Sequence, residues 1–172
     1  MKIAILGYSG SGKSTLAKKL AGRYDIPVLH LDTVQYLPNW QLRDEGGALA
    51  IVSEFMERES WIIDGNYSSF LQEERLNQAD CIIFMDFPRF ACLFRVLKRY
   101  FQYRGMSRDS MADGCIEKMD LEFAWWVFHK GRTGKKRAYY REVTEKHRAK
   151  TVVLKNQREL DEFILRQFKA QE

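Results

Sequence analysis

The stretch KIAILGYSGSGKST, residues 2–15, decides the fold of this 172-residue chain. Residues 2–6 are mainly apolar and predict a short buried strand. Residues 7–15 match the pattern G-x-x-x-x-G-K-[ST] without a mismatch, and residues 14–24 predict a helix. A glycine-rich turn between a strand and a helix is the context in which this pattern marks a phosphate-binding loop.

The loop has a physical reason to bind a polyphosphate. Glycines let backbone N–H groups close around the phosphates, and the unpaired N–H groups and dipole of the helix start favour negative charge. We expect Lys13 to lie along the β- and γ-phosphates and the Ser14 hydroxyl to take one Mg²⁺ position. The alternative is a turn that only joins strand to helix. The predicted nucleotide-binding residues of the loop are Gly7, Ser9, Gly10, Ser11, Gly12, Lys13, Ser14 and Thr15.

Length and composition predict one compact domain, residues 1–172, with an ordinary soluble balance of apolar and charged residues. No apolar stretch approaches the length of a membrane span. Met1 and Lys2 lead at once into a strand, without the apolar segment of a signal peptide. We therefore expect a cytoplasmic protein without a membrane partner, either a monomer or a homodimer. The three cysteines are isolated and lack metal-ligand spacing.

Predicted strands and helices alternate along the chain, which indicates a parallel sheet covered by helices on both faces. The predicted fold class is α/β, a P-loop NTPase with a five-stranded parallel sheet flanked by helices. The five predicted strands are residues 2–6, 26–32, 61–64, 81–86 and 151–154.

One segment between the fourth and fifth strands does not fit this alternation. We expect residues 100–134 to form a helical insert that acts as a lid over substrate, while residues 1–99 and 135–172 form the core. The alternative is an additional helix whose aromatic side chains fill the core. For Trp125 and Trp126 we favour this second interpretation.

Aspartates follow three of the predicted strands: Asp32, Asp64 and Asp86. Ligands of open α/β sheets bind beyond the carboxyl ends of the strands, so we expect these carboxylates to converge near the loop. Asp32 is predicted to contact an acceptor hydroxyl or Mg²⁺, and Asp64 to hold Mg²⁺ through water. The alternative for each aspartate is a helix N-cap, and for Asp86 both interpretations stand.

With these motifs the chain resembles the nucleoside-monophosphate kinase group of P-loop proteins, which includes adenylate, shikimate and gluconate kinases. Besides the loop, the resemblance rests on Asp64-Gly65 and on DFP at residues 86–88. It implies that Arg95 stacks on the nucleotide base and that Arg99 contacts the triphosphate, which suits the flat, forked guanidinium group. It also implies ATP and Mg²⁺ as cofactors.

Lid arginines are a further implication of the resemblance. Closure of the insert would bring one or two arginines onto the transferring phosphoryl group, and the favoured candidates are Arg132 and Arg137. Together with Lys13 and Asp32 they form the predicted catalytic set.

Motifs along almost the whole chain are also similar to the bacterial DNA topology modulation (FlaR-like) proteins, which are grouped with adenylate-kinase-related kinases. They include HLD at residues 30–32, PNW at 38–40 and WIIDGNY at 61–67. In adenylate kinases Phe-Pro-Arg follows the Asp-Gly pair and its arginine holds the acceptor's phosphate, whereas NYS, residues 66–68, follows here. The acceptor therefore need not be AMP.

Three functions are compatible with the sequence. The first is an ATP- and Mg²⁺-dependent kinase for a small-molecule acceptor, such as a nucleoside, a nucleotide or a sugar-like hydroxyl compound. The second is a DNA-associated NTPase or regulator, favoured by a net charge of +5 and the basic residues between 130 and 150, although no DNA-binding module is recognisable. The third is a nucleotide-binding interaction protein without catalysis.

Overall fold

A five-stranded parallel sheet forms the centre of the computed structural model, which describes residues 1–106, 110–112, 114–116 and 120–169. The strand order is β2-β5-β1-β6-β7, and two short strands, β3 and β4, pair as a separate antiparallel hairpin. The strands are β1 (Lys2–Gly7), β2 (Val28–His30), β3 (Tyr36–Leu37), β4 (Gln41–Leu42), β5 (Trp61–Asp64), β6 (Cys81–Met85) and β7 (Thr151–Leu154).

Strand β1 lies between β5 and β6 and is hydrogen-bonded to both. Its residues 3–6 are at most 4% exposed, because helices cover both faces of the sheet. Strands buried on both faces have continuous apolar sequences, which is why all five could be predicted from short apolar runs. The predicted α/β class with a five-stranded parallel sheet is confirmed.

The helices cover both faces of the sheet and extend beyond it. In the described part of the chain, four of them begin at a side-chain cap, because Asp44, Asp120, Thr133 and Asn156 each accept a hydrogen bond from a backbone N–H three residues ahead. Short 3₁₀ turns occur at Pro38–Trp40, Lys130–Arg132 and Arg148–Lys150. The helices are α1 (Lys13–Tyr24), α2 (Leu31–Gln35), α3 (Glu45–Met56), α4 (Gln72–Gln78), α5 (Arg89–Gln102), α6 (Leu121–Phe128), α7 (Gly134–Lys146) and α8 (Gln157–Lys169).

The second predicted strand, residues 26–32, is too long, because the observed strand ends at His30. The hydroxyl of Thr33 donates to the His30 carbonyl at 2.7 Å and supports a turn into helix α2. Leu31 begins that helix and is fully buried. Asp32 consequently lies in the first turn of α2 instead of at a strand end.

The tryptophans of α6 do not fill the core, so the favoured interpretation for them is wrong. Trp125 is 51% exposed and Trp126 43% exposed, and Val127 is the buried residue of this helix. A helix that packs through one face buries only that face, and the two tryptophans lie on the other. Parts of the expected insert, residues 107–109, 113 and 117–119, lie outside the described residues.

Within the described ranges, every helix is too short or too polar to cross a lipid bilayer.

Gly10 offers a test of the loop's conformation, with Gly22 as a matched control. Gly10 has a φ of +78°, and a Cβ there would lie 2.5 Å from the Cys92 carbonyl oxygen. Gly22, in α1, has open space around it. We expect Gly10→Ala to lower the free energy of unfolding by about 2–4 kcal/mol and Gly22→Ala to raise it by about 0.5–1 kcal/mol.

Urea denaturation of both variants measures this difference. Equal stability of the two variants would show that α5 does not press against the loop.

Candidate active site

A cavity of about 1620 Å³ opens where β1 and β5 end. Pockets for single small ligands usually enclose about 300–1,000 Å³, so this cavity has room for two substrates side by side. Its walls come from the loop after β1, the segment after β5, the α2–β3 region, α5, α8, and the α6–α7 region.

The loop between β1 and α1 presents backbone N–H groups to the cavity. Ser11 N donates to the Tyr8 carbonyl at 3.1 Å and closes the turn. Leu16 N makes the first helical bond, to Gly12 O, so the N–H groups of the residues before it have no carbonyl within the helix. Lys13 Nζ donates to the Tyr8 carbonyl at 3.2 Å and thus lies along the loop. This arrangement suits an anion such as a phosphate chain.

Asp64, the last residue of β5, connects the sheet to the loop. Its Oδ2 accepts a hydrogen bond of 2.6 Å from Ser14 Oγ and lies 2.9 Å from His30 Nδ1. Oδ1 of this 4%-exposed residue is buried and has no hydrogen-bond partner among the residues that the structure describes. A buried carboxylate oxygen without a partner is costly unless it accepts hydrogen bonds, for example from the waters of a hydrated cation.

Ser14 and Asp64 therefore fit a hydrated Mg²⁺. Within the described residues no three His, Cys, Asp or Glu side chains cluster as ligands for a metal ion. Mg²⁺ commonly keeps several waters and takes one or two protein ligands beside substrate phosphates, so this small donor set is sufficient. His30 is buried and lies against Asp64.

Asp32 lines the cavity beside three aromatic residues. Tyr67 donates its hydroxyl to Asp32 Oδ1 at 2.8 Å. Burial raises the pKa of Tyr67, and the nearby carboxylates of Asp32 and Asp64 raise it further, so the hydroxyl stays protonated as a donor. Tyr36 and Trp40 line the same part of the cavity, with ring centroids 5.2 Å apart.

None of the three predicted aspartates is a helix N-cap. The N-caps of α2 and α5 are His30 and Pro88, and Asp64 belongs to β5. Asp86 is half-buried outside the cavity lining, and burial raises the pKa of its carboxyl despite the opposing effect of Arg132.

Asn66 is a site residue to which sequence reasoning gave no role. Its side chain accepts from Gly7 N at 3.0 Å and donates to Gly7 O at 2.7 Å, which joins the ends of β1 and β5. The only signal was its place directly after the Asp-Gly pair, where it appeared as a departure from the adenylate kinase pattern.

Arg95 and Arg99, both on α5, line the cavity. Arg95 Nη1 donates to the Ser11 carbonyl at 2.6 Å, and Nη2 donates to Gln157 Oε1 at 2.5 Å. Its guanidinium carbon lies 4.1 Å from the centre of the Phe87 ring. Arg95 thus links the loop to the start of α8. Partial burial lowers the pKa of its guanidinium group.

Arg132 and Arg137, the two predicted lid arginines, occupy different environments. Arg132 lines the cavity, is 8% exposed, and lies 3.7 Å from the centre of the Tyr8 ring. It donates to Cys92 Sγ at 3.0 Å, while its Nε is buried without a hydrogen-bond partner in the described part of the chain. Arg137 is exposed on α7 and does not line the cavity.

The loop, the sheet and the Ser14–Asp64 contact define an α/β protein with a P-loop NTPase-like fold. In sequence the chain is similar to adenylate kinases. It is 27% identical over 124 residues to one from Caldanaerobacter subterraneus subsp. tengcongensis, covering 70% of this chain and 54% of that one. It is 28% identical over 124 residues to one from Bartonella tribocorum, covering 69% of this chain and 61% of that one.

The chain spans about half the length of the first of these relatives, 54%. No protein-family model matches it. A crystal structure of an uncharacterized protein from Eubacterium ventriosum ATCC 27560 superposes with a TM-score of 0.50 at 16% identity, covering 99% of this chain and 100% of that one, which supports the fold alone. The predicted resemblance to adenylate kinases is confirmed, and the one to the DNA topology modulation proteins stays a prediction.

The different environments of Arg132 and Arg137 predict different effects on nucleotide binding. A buried cation with an unsatisfied donor at the cavity wall should gain a charge-assisted hydrogen bond from a phosphate. We expect Arg132→Ala to raise the Kd for Mg-ATP about tenfold or more, and Arg137→Ala to change it less than about twofold.

Isothermal titration calorimetry of both variants checks this expectation. Equal losses in the two would mean that α7 brings Arg137 to the nucleotide, and two unchanged affinities would exclude both arginines from the binding site.

Proposed function

We propose that this protein is an ATP- and Mg²⁺-dependent phosphotransferase, a kinase acting on a hydroxyl group of a small-molecule acceptor. The observation that carries the proposal is the Ser14–Asp64 hydrogen bond at the mouth of a phosphate-binding loop, in a cavity with space for two substrates. The similarity to adenylate kinases supports the same reaction class.

The donor side of the cavity would bind the triphosphate. The backbone N–H groups after Gly12 and the ammonium group of Lys13, which lies along the loop, would neutralise the phosphate oxygens. Ser14 would ligate Mg²⁺ directly and Asp64 through water, and the metal would supply charge neutralisation at the phosphates. Arg132 would add positive charge as the phosphoryl group leaves the nucleotide.

The acceptor side of the cavity would supply the general base of the reaction. Asp32 lines the cavity, and its bond from Tyr67 holds the carboxylate in place. We assign Asp32 the role of accepting the proton of the attacking hydroxyl. An additional Mg²⁺ contact by Asp32, base stacking by Arg95 and triphosphate contact by Arg99 remain part of the proposal. Arg137 would take part only after a movement of α7.

The alternative function, a DNA-associated NTPase related to the topology modulation proteins, has weaker support. Much of the basic stretch after residue 129 is engaged within the protein: Lys130 with Glu122, Lys146 with Glu73, Arg148 with Glu145, and Lys150 with two backbone carbonyls. DNA binding with a steep salt dependence at physiological ionic strength would favour this alternative. A cytoplasmic location and a monomer or homodimer also belong to the proposal.

Three alanine variants test the kinase proposal. We expect Lys13→Ala to weaken Mg-ATP binding and to reduce turnover at least about a hundredfold. Asp32→Ala should retain Mg-ATP binding, because Ser14 and Asp64 would still hold the metal, but should lose acceptor phosphorylation by a similar factor, because the general base is removed. Lys135→Ala, which removes an exposed charge outside the cavity, should behave as the unsubstituted protein.

Product mass and ADP release from a panel of nucleosides, nucleotides and sugars give the readout. If Mg-ATP binds but no acceptor raises turnover above that of Lys13→Ala, the protein is a nucleotide-binding protein without kinase activity.

A further inference from the structure

The segments that line the cavity differ in the charges that they contribute. Between residues 32 and 69, the lining contains the carboxylates of Asp32 and Asp64 and no lysine or arginine. The cations of the lining come from α1, α5 and the region around α7: Lys13, Lys18, Lys19, Arg95, Lys98, Arg99, Arg132 and Lys136. Asp64 lies against Ser14 at the loop, so the acceptor end around Asp32 contributes one carboxylate and no cation to the lining. In the cation-bearing segments, Asp120 is the one carboxylate among the described lining residues.

Arg75 and Arg43, two arginines that could have bound an acceptor phosphate, instead donate hydrogen bonds to backbone carbonyls. Arg75 is fully buried and donates to the carbonyl oxygens of Phe70 and Tyr67, each at 2.7 Å. Arg43 donates through Nε to the Val34 carbonyl at 2.9 Å. Neither arginine lines the cavity, so a phosphate dianion bound at this end would meet the Asp32 carboxylate instead of the guanidinium fork that usually binds it.

Tyr36 and Trp40 form the wall of the acceptor end. Trp40 has a backbone conformation that is unfavourable for a bulky residue. Asn39 and Trp40 have φ values of +61° and +64°, a left-handed conformation that is rare for a bulky residue. Trp40 N donates to Cys115 Sγ at 3.3 Å, and Trp40 Nε1 donates to the Ile116 carbonyl at 3.3 Å. Strained residues persist where surrounding contacts enforce them, often at ligand sites.

We propose that the phosphoryl acceptor is an uncharged alcohol with a planar ring, of the nucleoside class, whose ring packs on Tyr36 and Trp40 while its hydroxyl meets Asp32. This inference rests on the proposed kinase function. Aromatic side chains stack on the flat face of a nucleobase whichever base it is. Asp32 Oδ1 accepts from Tyr67, and Oδ2 has no hydrogen-bond partner in the described ranges, so one oxygen is available to an acceptor hydroxyl.

The transfer step balances without a further reagent. The acceptor oxygen forms a bond to the γ-phosphorus of the nucleoside triphosphate, and the bond from that phosphorus to the β–γ bridging oxygen breaks. The hydroxyl proton passes to Asp32, the bond electrons leave with the nucleoside diphosphate, and the product is a phosphate monoester. Once Asp32 has passed that proton to solvent, its carboxylate would repel the dianionic monoester and thereby help to release it.

Acceptor specificity tests this inference separately from the kinase function. Protein with Mg-ATP is incubated with matched pairs of each common nucleoside and its 5′-monophosphate, and products are identified by mass. We expect a nucleoside to be phosphorylated with a kcat/KM at least about tenfold above that of its monophosphate. A monophosphate that is the better acceptor would overturn the acceptor assignment and leave the kinase proposal intact.

Variants of Trp40 provide the second arm. We expect Trp40→Leu to raise the KM for the nucleoside about tenfold with the KM for ATP unchanged, and Trp40→Phe, which keeps an aromatic face, to stay within about threefold. Trp125→Leu is the matched control, because Trp125 is exposed and lies outside the cavity lining. An unchanged acceptor KM in Trp40→Leu would contradict the inference, and absence of Mg-ATP binding would remove the kinase proposal together with it.

Discussion

The hydrogen bond between Ser14 and Asp64 is the contact on which the site depends. Pairing of β1 with β5 places Asp64 opposite Ile5, two residues before the loop begins, so the carboxylate reaches the first turn of α1. The side chain of Asn66 secures the same junction by bonding both backbone groups of Gly7. Loop, helix start and carboxylate are thereby fixed by sheet register, which is set by burial of the strands and hence resistant to slippage.

The cavity built on this junction separates two chemical environments. One side has the backbone N–H groups and the lysine of the loop, and the other has Asp32 beside Tyr36, Trp40 and Tyr67. Phosphoryl transfer requires such a division, because the donor carries several negative charges and the acceptor must lose a proton at the moment of attack. In the proposed reaction the aromatic residues of the lining would also keep water, a competing acceptor, away from the transferring group.

Local sequence patterns were sufficient to predict the parallel sheet and the loop, because buried strands are short apolar runs and the loop is one contiguous motif. Features that depend on distant packing could not be predicted in this way. Helix α2 begins at Leu31, whose side chain is fully buried. That burial depends on tertiary packing, which a local sequence pattern does not contain. The exposure of Trp126 and the burial of Arg132 invert the usual preferences of these residue types. Arg137 has the same charge as Arg132 and a neighbouring position, yet only the structure separates them.

Arg95 joins the loop to a part of the chain that is made much later. One end of its guanidinium holds the Ser11 carbonyl, and the other holds Gln157 at the start of α8. A nascent polypeptide on the ribosome therefore carries the complete motif long before the helix that steadies it has emerged. Competence to capture a nucleotide would then await the synthesis of α8, which follows the last strand of the sheet.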